Sequence, residues 1–146
     1  PGLVQLADVC AGGLHAARAV EFQDFLAIHH AADSFRQAME WITAIHHSAR
    51  VLLEQGGAYF TGVADEGGWG PKLPTNEAAL ELLTRAIEHA GLVPGHQVSI
   101  ALDVAASHFH HEGIYQLHSE GRALAAEEFI ELLEGCCRRY PVVSLE

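Results

Sequence analysis

Residues 34–55 carry the strongest pattern in the chain. Phe35, Ala38, Met39, Ile42, Ile45, Ala49, Leu52 and Leu53 recur at the helical period. Ser34 and Gln37 stand at capping-box spacing before this run, and Gly56-Gly57 supplies a stop. A second helix follows Thr75, with Ala79, Leu82, Leu83, Ala86 and Ile87 on one face and Gly91 after its end. A third spans 124–139 and buries Phe129, Leu132, Leu133 and Cys136. Between these lie strand-like runs. Residues 3–9 are apolar and end at Gly12-Gly13, and in 20–28 the apolar Val20, Phe22, Phe25 and Ile28 are interleaved with polar positions. QVSIALDV at 97–104 is almost continuously apolar or small, as a strand buried on both faces should be. Residues 107–118 predict a small hairpin turning at Glu112-Gly113, and VVSL after Pro141 a last strand. Residues 58–73 read as a glycine-rich loop. Two strands, two helices, then strand–helix–strand imply parallel pairing across the crossover and an α/β sheet or barrel.

Composition narrows the class without changing this picture. The 146 residues are 49% apolar, enough for one ordinary domain with a core and too many for disorder. No apolar run approaches the ~20 residues of a membrane helix, and no signal-peptide pattern opens the chain. The chain opens on Pro1 and stops on Glu146 directly after an apolar run, so both ends read as cuts inside a longer chain. Cys10, Cys136 and Cys137 are an odd count with one adjacent pair, which favours a reduced, cytoplasmic protein. A net charge of -11 without a basic cluster argues against nucleic acid and anionic membrane as partners.

Candidate chemistry gathers at the ends of the buried strands. Asp103 lies near the C-terminal end of one, and Glu146 ends the next. Barrel enzymes take their catalytic side chains from those ends. Neighbouring parallel strands are ~4.8 Å apart, so two such carboxylates can share a cation. Oxygen ligands suit a hard divalent ion such as Mg²⁺. The competing reading is that each carboxylate caps a helix or solvates a strand end. Asp65-Glu66-Gly67-Gly68, within GVADEGGWGPKLPTNEAAL, places two carboxylates before two glycines that permit tight turns. Read blandly, it is a surface loop with Trp69 packed beneath it, and the single histidine after the glycine pair in GGLH is structural. The paired histidines His29-His30, His46-His47 and His110-His111 raise a zinc site as a third possibility. Adjacent residues point in different directions on a helix or a strand, which counts against it.

The segments GGLHA, FQDF, GVADEGGWGPKLPTNEAALELL, ALDVAAS and RYPVVSLE together resemble the enolase family, in its order and at its intervals, over nearly the whole chain. That resemblance implies a barrel beginning with two antiparallel strands and two helices, with residues 1–146 as a fragment forming its first half, so the expected fold class is α/β, a partial TIM-type (β/α) barrel. It implies a lyase interconverting 2-phosphoglycerate and phosphoenolpyruvate in glycolysis, with Mg²⁺ as cofactor and a homodimer in the full-length parent. By motif, Glu66 matches the carboxylate acting in hydroxyl departure, Asp103 and Glu146 two of three metal carboxylates, and His15 a mobile-loop histidine near the substrate. Asp24 falls where the family usually has Glu, Ala11 where it has Asn, and Lys72 replaces an Asn after GWGP. The family's catalytic lysine, third metal carboxylate, and phosphate-binding arginine and serine belong beyond Glu146. The 146-residue chain is therefore expected to be inactive by itself. The alternative is a non-catalytic enolase-like homologue with a binding or structural role.

Overall fold

A computed structural model describes residues 5–13, 20–57, 60–64 and 66–146. Among them, a six-stranded sheet runs in the order β3-β4-β1-β2-β5-β9. Its strands are β1 (Gln5–Ala11), β2 (Asp24–His29), β3 (Phe60–Val63), β4 (Trp69–Pro71), β5 (Val98–Asp103) and β9 (Val142–Leu145). The helices are α1 (Phe35–Gln55), α2 (Asn76–His89) and α3 (Ala126–Arg139). A small second sheet is formed by β6 (His110–His111), β7 (Ile114–Leu117) and β8 (Arg122–Leu124).

β1 and β2 are antiparallel, β2 and β5 are antiparallel, and β5 and β9 are parallel. The two leading strands, two consecutive helices and strand–helix–strand unit read from the sequence are therefore present. The sheet is open, a partial barrel wall with β3 and β9 at its two edges. No described helix is long and apolar enough to cross a membrane.

Period-2 geometry gives this sheet two unlike faces. Phe25, Ala27, Ile100 and Leu102 lie on the face that joins Ile45, Ala49 and Leu53 of α1 and Leu80, Leu83 and Ile87 of α2 in one apolar cluster. Phe129 and Cys136 of α3 belong to the same cluster. The register pairs Asp24 with Asp103, Leu26 with Ala101 and Ile28 with Ser99 on the opposite face. The helices thus cover one side, and the carboxylates stand on the other.

The helix signals hold in detail. Ser34 and Thr75 cap α1 and α2, accepting from the amides of Gln37 and Ala78 at 3.2 and 3.0 Å. Gln37 accepts from the Asp33 amide at 2.6 Å rather than from Ser34, one residue outside the reciprocal capping arrangement. At α3 the Glu128 carboxylate accepts from the Ala125 amide at 2.8 Å. The hairpin turns at Glu112 and Gly113, both with positive φ, as a tight two-residue turn demands.

Three elements differ from the sequence reading. The second strand starts at Asp24, not at residue 20. Val20 and Phe22 are buried, but the Glu21 and Phe22 amides donate to Asn76 Oδ1 at 3.0 and 2.9 Å instead of to a strand. Residues 58–73 are not all loop, because β3 and β4 lie within them, and Cys10 of β1 pairs with Trp69. The hairpin gains a third strand, β8, which pairs with β7.

Candidate active site

β5 ends on Asp103, and because β2 runs the other way, its first residue arrives beside that end. Asp24 is the direct cross-strand partner of Asp103. Asp24 is almost fully buried, at 3% exposure. Asp103 Oδ1 accepts from the Ala105 amide at 3.0 Å, where Ala105 takes a left-handed φ of 45°. Gln23 Nε2 lies 3.4 Å from Asp103 Oδ2 and 3.5 Å from Asp24 Oδ2, bridging the two carboxylates, and the Gln23 amide donates to the Asp103 carbonyl at 2.9 Å.

Glu146 closes the row on the next strand. Its amide donates to the Leu102 carbonyl and its carbonyl accepts from Val104, both at 2.9 Å, so its backbone is locked beside the end of β5. Its side chain is exposed.

Glu66 sits in the turn between β3 and β4, and its side chain is exposed. The turn is internally bonded: the Ala64 amide donates to the Gly68 carbonyl at 2.7 Å and the Gly67 amide to the Ala64 carbonyl at 3.0 Å. Gly67 adopts a φ of 102°, accessible mainly to glycine. α1 holds the turn from one side: His46 Nε2 bonds the Gly67 carbonyl at 2.9 Å, and Trp69 Nε1 donates to the His46 carbonyl at 2.9 Å. The His46 and Trp69 rings stack at 4.6 Å. Trp69 therefore packs, as its bland reading held, yet that packing fixes the Glu66 turn.

Asp8 on β1 was not singled out from the sequence. It feels the charges of both Asp24 and Glu66, and burial together with those neighbours pushes its carboxyl up to about 7. Its only sequence signal is one acid in an otherwise apolar strand, a pattern that reads equally as a solvated edge. The contact that matters comes from the β3–β4 turn, distant in sequence.

His15, one of the sequence candidates, lies outside the described residues. The paired histidines diverge: His29 is buried while His30 reaches Ser99 Oγ at 2.9 Å, and His47, His110 and His111 are exposed. Among the described residues no three His, Cys, Asp or Glu side chains are grouped to hold a metal ion.

The sequence of residues 3–146 matches the family model described as the enolase C-terminal TIM barrel domain. The chain belongs to this family. The match agrees with the element order, the antiparallel leading strands and the carboxylates at one end of the sheet. In the enolase barrel, then, this chain supplies the wall containing the irregular β1–β2 start.

Proposed function

We propose that the chain is the leading half of an enolase-type catalytic barrel whose parent interconverts 2-phosphoglycerate and phosphoenolpyruvate with Mg²⁺. The observation that supports this most is the cross-strand pairing of Asp24 with Asp103 on the face turned from the helices, with the Glu146 backbone bonded beside the end of β5.

Asp103 and Glu146 are hard oxygen donors at adjacent strand ends, and so fit two positions around a divalent cation, the rest falling to water, substrate or further protein groups. Mg²⁺ held there would supply positive charge against negative charge developing on the substrate. Asp103 has Oδ1 held by the Ala105 amide and Oδ2 within 3.4 Å of Gln23 Nε2, which together fix the carboxylate's orientation. Glu66, on a turn clamped by α1, is the group assigned in this reading to proton transfer at the departing hydroxyl. Asp24 is the second acid of the site and His15 a substrate-side group. Lys72, the one lysine of the sequence, is exposed just past the end of β4 and does not fall on the family's base by motif. By the family resemblance, the base that removes the carbon-bound proton is assigned to another segment of the parent, a homodimeric cytoplasmic glycolytic enzyme in this reading.

Two assays test the proposal. In the full-length parent, Glu66→Gln should lower turnover at least about a hundredfold, the usual weight of a positioned acid–base group, while substrate binding changes little. The purified 146-residue chain should form no phosphoenolpyruvate, followed by its ultraviolet absorbance. A parent with no turnover at all would favour the non-catalytic homologue, and an active parent unaffected by Glu66→Gln would remove Glu66 from the reaction.

A further inference from the structure

Asp8 pairs with Leu26 of β2 and so shares the face that carries Asp24, two residues earlier on that strand. The chain of β1 then bulges at Val9 before pairing resumes at Cys10. Gly68 of the β3–β4 turn covers the carboxyl so closely that a Cβ at 68 would overlap Asp8 Oδ2. Gly68 is buried, and its φ is not in the left-handed region, so space and not backbone conformation is what demands glycine here.

Both Asp8 oxygens are shut off from solvent. The amides of Gly68 and Cys10 face them and favour the charged form in part, but neither attains full hydrogen-bond geometry. Among the described residues, the charges that act on the carboxyl are Asp24 from β2 and Glu66 from the turn, while the Cys10 thiol, turned to the helix-side core, feels the Asp8 charge. His46 of α1 reaches the same turn through the Gly67 carbonyl.

We propose that Asp8 is the positioning residue for Glu66: its buried carboxyl is the seat on which the Gly68 turn rests against the sheet. The seat holds in its neutral form. Ionised, it is a third negative charge facing Asp24 and Glu66 without water to relieve it, and the turn lifts to let water in. The order of the turn therefore falls as pH rises through neutrality. This inference concerns how the turn is held, and it stands whether or not the reaction proposed above is correct.

Amide hydrogen exchange on the 146-residue chain tests it, corrected for intrinsic rates, at about pH 6 and about pH 8, on either side of the Asp8 titration. Peptides covering the Ala64 and Gly67 amides should lose protection several-fold at the higher pH, while peptides from α2 should not. Asp8→Asn keeps the shape without the ionisation and should abolish that difference. Gly68→Ala drives a methyl into the seat and should leave the turn poorly protected at both pH values. A wild-type turn whose protection is independent of pH overturns the proposal, as does an Asp8→Asn variant with the wild-type difference. His46→Gln supplies the independent arm should Asp8→Asn fail to fold. The pH difference must survive it, and its loss transfers the effect to the histidine and overturns the proposal.

Discussion

Replacing Asn76 with alanine should destabilise the domain more than any other single polar truncation in the 20–23 segment or its supports. The side chain is buried at 2% exposure at the start of α2 and makes four bonds. Oδ1 accepts from the Glu21 and Phe22 amides at 3.0 and 2.9 Å, and Nδ2 donates to Glu21 Oε2 at 2.9 Å and Glu120 Oε1 at 3.1 Å. Alanine leaves both amides without their acceptor, at about 1–2 kcal/mol each with the buried Phe22 amide at the upper end. The two carboxylates lose a donor but retain other partners, since Ser119 still bonds Glu21 and the Asn76 amide still donates to Glu120. That adds about 0.5 kcal/mol each, for a total of about 3–5 kcal/mol. Such a loss is a third or more of the stability of an ordinary domain. Urea unfolding followed by far-ultraviolet circular dichroism should show the midpoint falling with an unchanged slope. Thr75→Ala is the control, because it removes only the α2 cap and should cost about 1 kcal/mol. A loss below about 1 kcal/mol for Asn76→Ala, or an Asn76→Asp variant as stable as wild type, would refute the reasoning, since aspartate restores the acceptor but sets a third carboxylate between Glu21 and Glu120.

Burial pushes the Glu21 carboxyl upward, but bonds from the Ser119 hydroxyl at 2.6 Å, the Ser119 amide at 2.8 Å and Asn76 outweigh it and hold the pKa below the usual range. A depressed carboxyl stabilises the fold above its unfolded pKa and loses that contribution as pH falls through the folded value, so Ser119→Ala should flatten the acid side of the stability curve below about pH 4.3. Leu83→Ala, at a fully buried α2 position in the main cluster, should cost about 2–5 kcal/mol in the same unfolding assay. Thiol labelling of the native chain should titrate one cysteine rapidly, the exposed Cys137, with Cys10 and Cys136 reacting only after denaturation. Desolvation, aided by the bond from its hydroxyl to Glu77 at 3.0 Å, pushes Tyr140 up to about 12, so spectrophotometric titration should show a late-ionising phenol that Glu77→Gln brings down.

The elements legible in the sequence are those stabilised by their own neighbours. α1 and α2 announce themselves through period and caps, because the apolar stripe and capping side chains are local to each helix. β5 is legible for a different reason: a sheet covered by helices on one face and closed in on the other leaves little room for polar side chains along VSIALD. β3 and β4 were hidden because four- and three-residue strands carrying Gly62, Gly70 and Pro71 have no period of their own and exist through pairing with each other and with β1. Residues 20–23 kept the alternation of a strand because Val20 and Phe22 enter the apolar cluster with Phe109 and Phe129, while the Glu21 and Phe22 amides are satisfied by the side chain of Asn76, 55 and 54 residues away. The site divides along the same line. Asp24, Glu66, Asp103 and Glu146 were proposed through motifs, and Asp8 was not singled out because its environment is made by a turn sixty residues downstream.

The reversed direction of β2 makes the join between β1 and β2 a measuring rod. Asp24 reaches the end of β5 only by being the first residue of its strand, and the joint at Asn76 sets where that strand begins. Removing or adding one residue between Asn76's two backbone partners and Asp24 would advance the strand by ~3.4 Å and turn every side chain over, sending Asp24 among the helices and Phe25 into the cleft. The count of residues from Phe22 to Asp24 is therefore as much a part of the site as their chemistry.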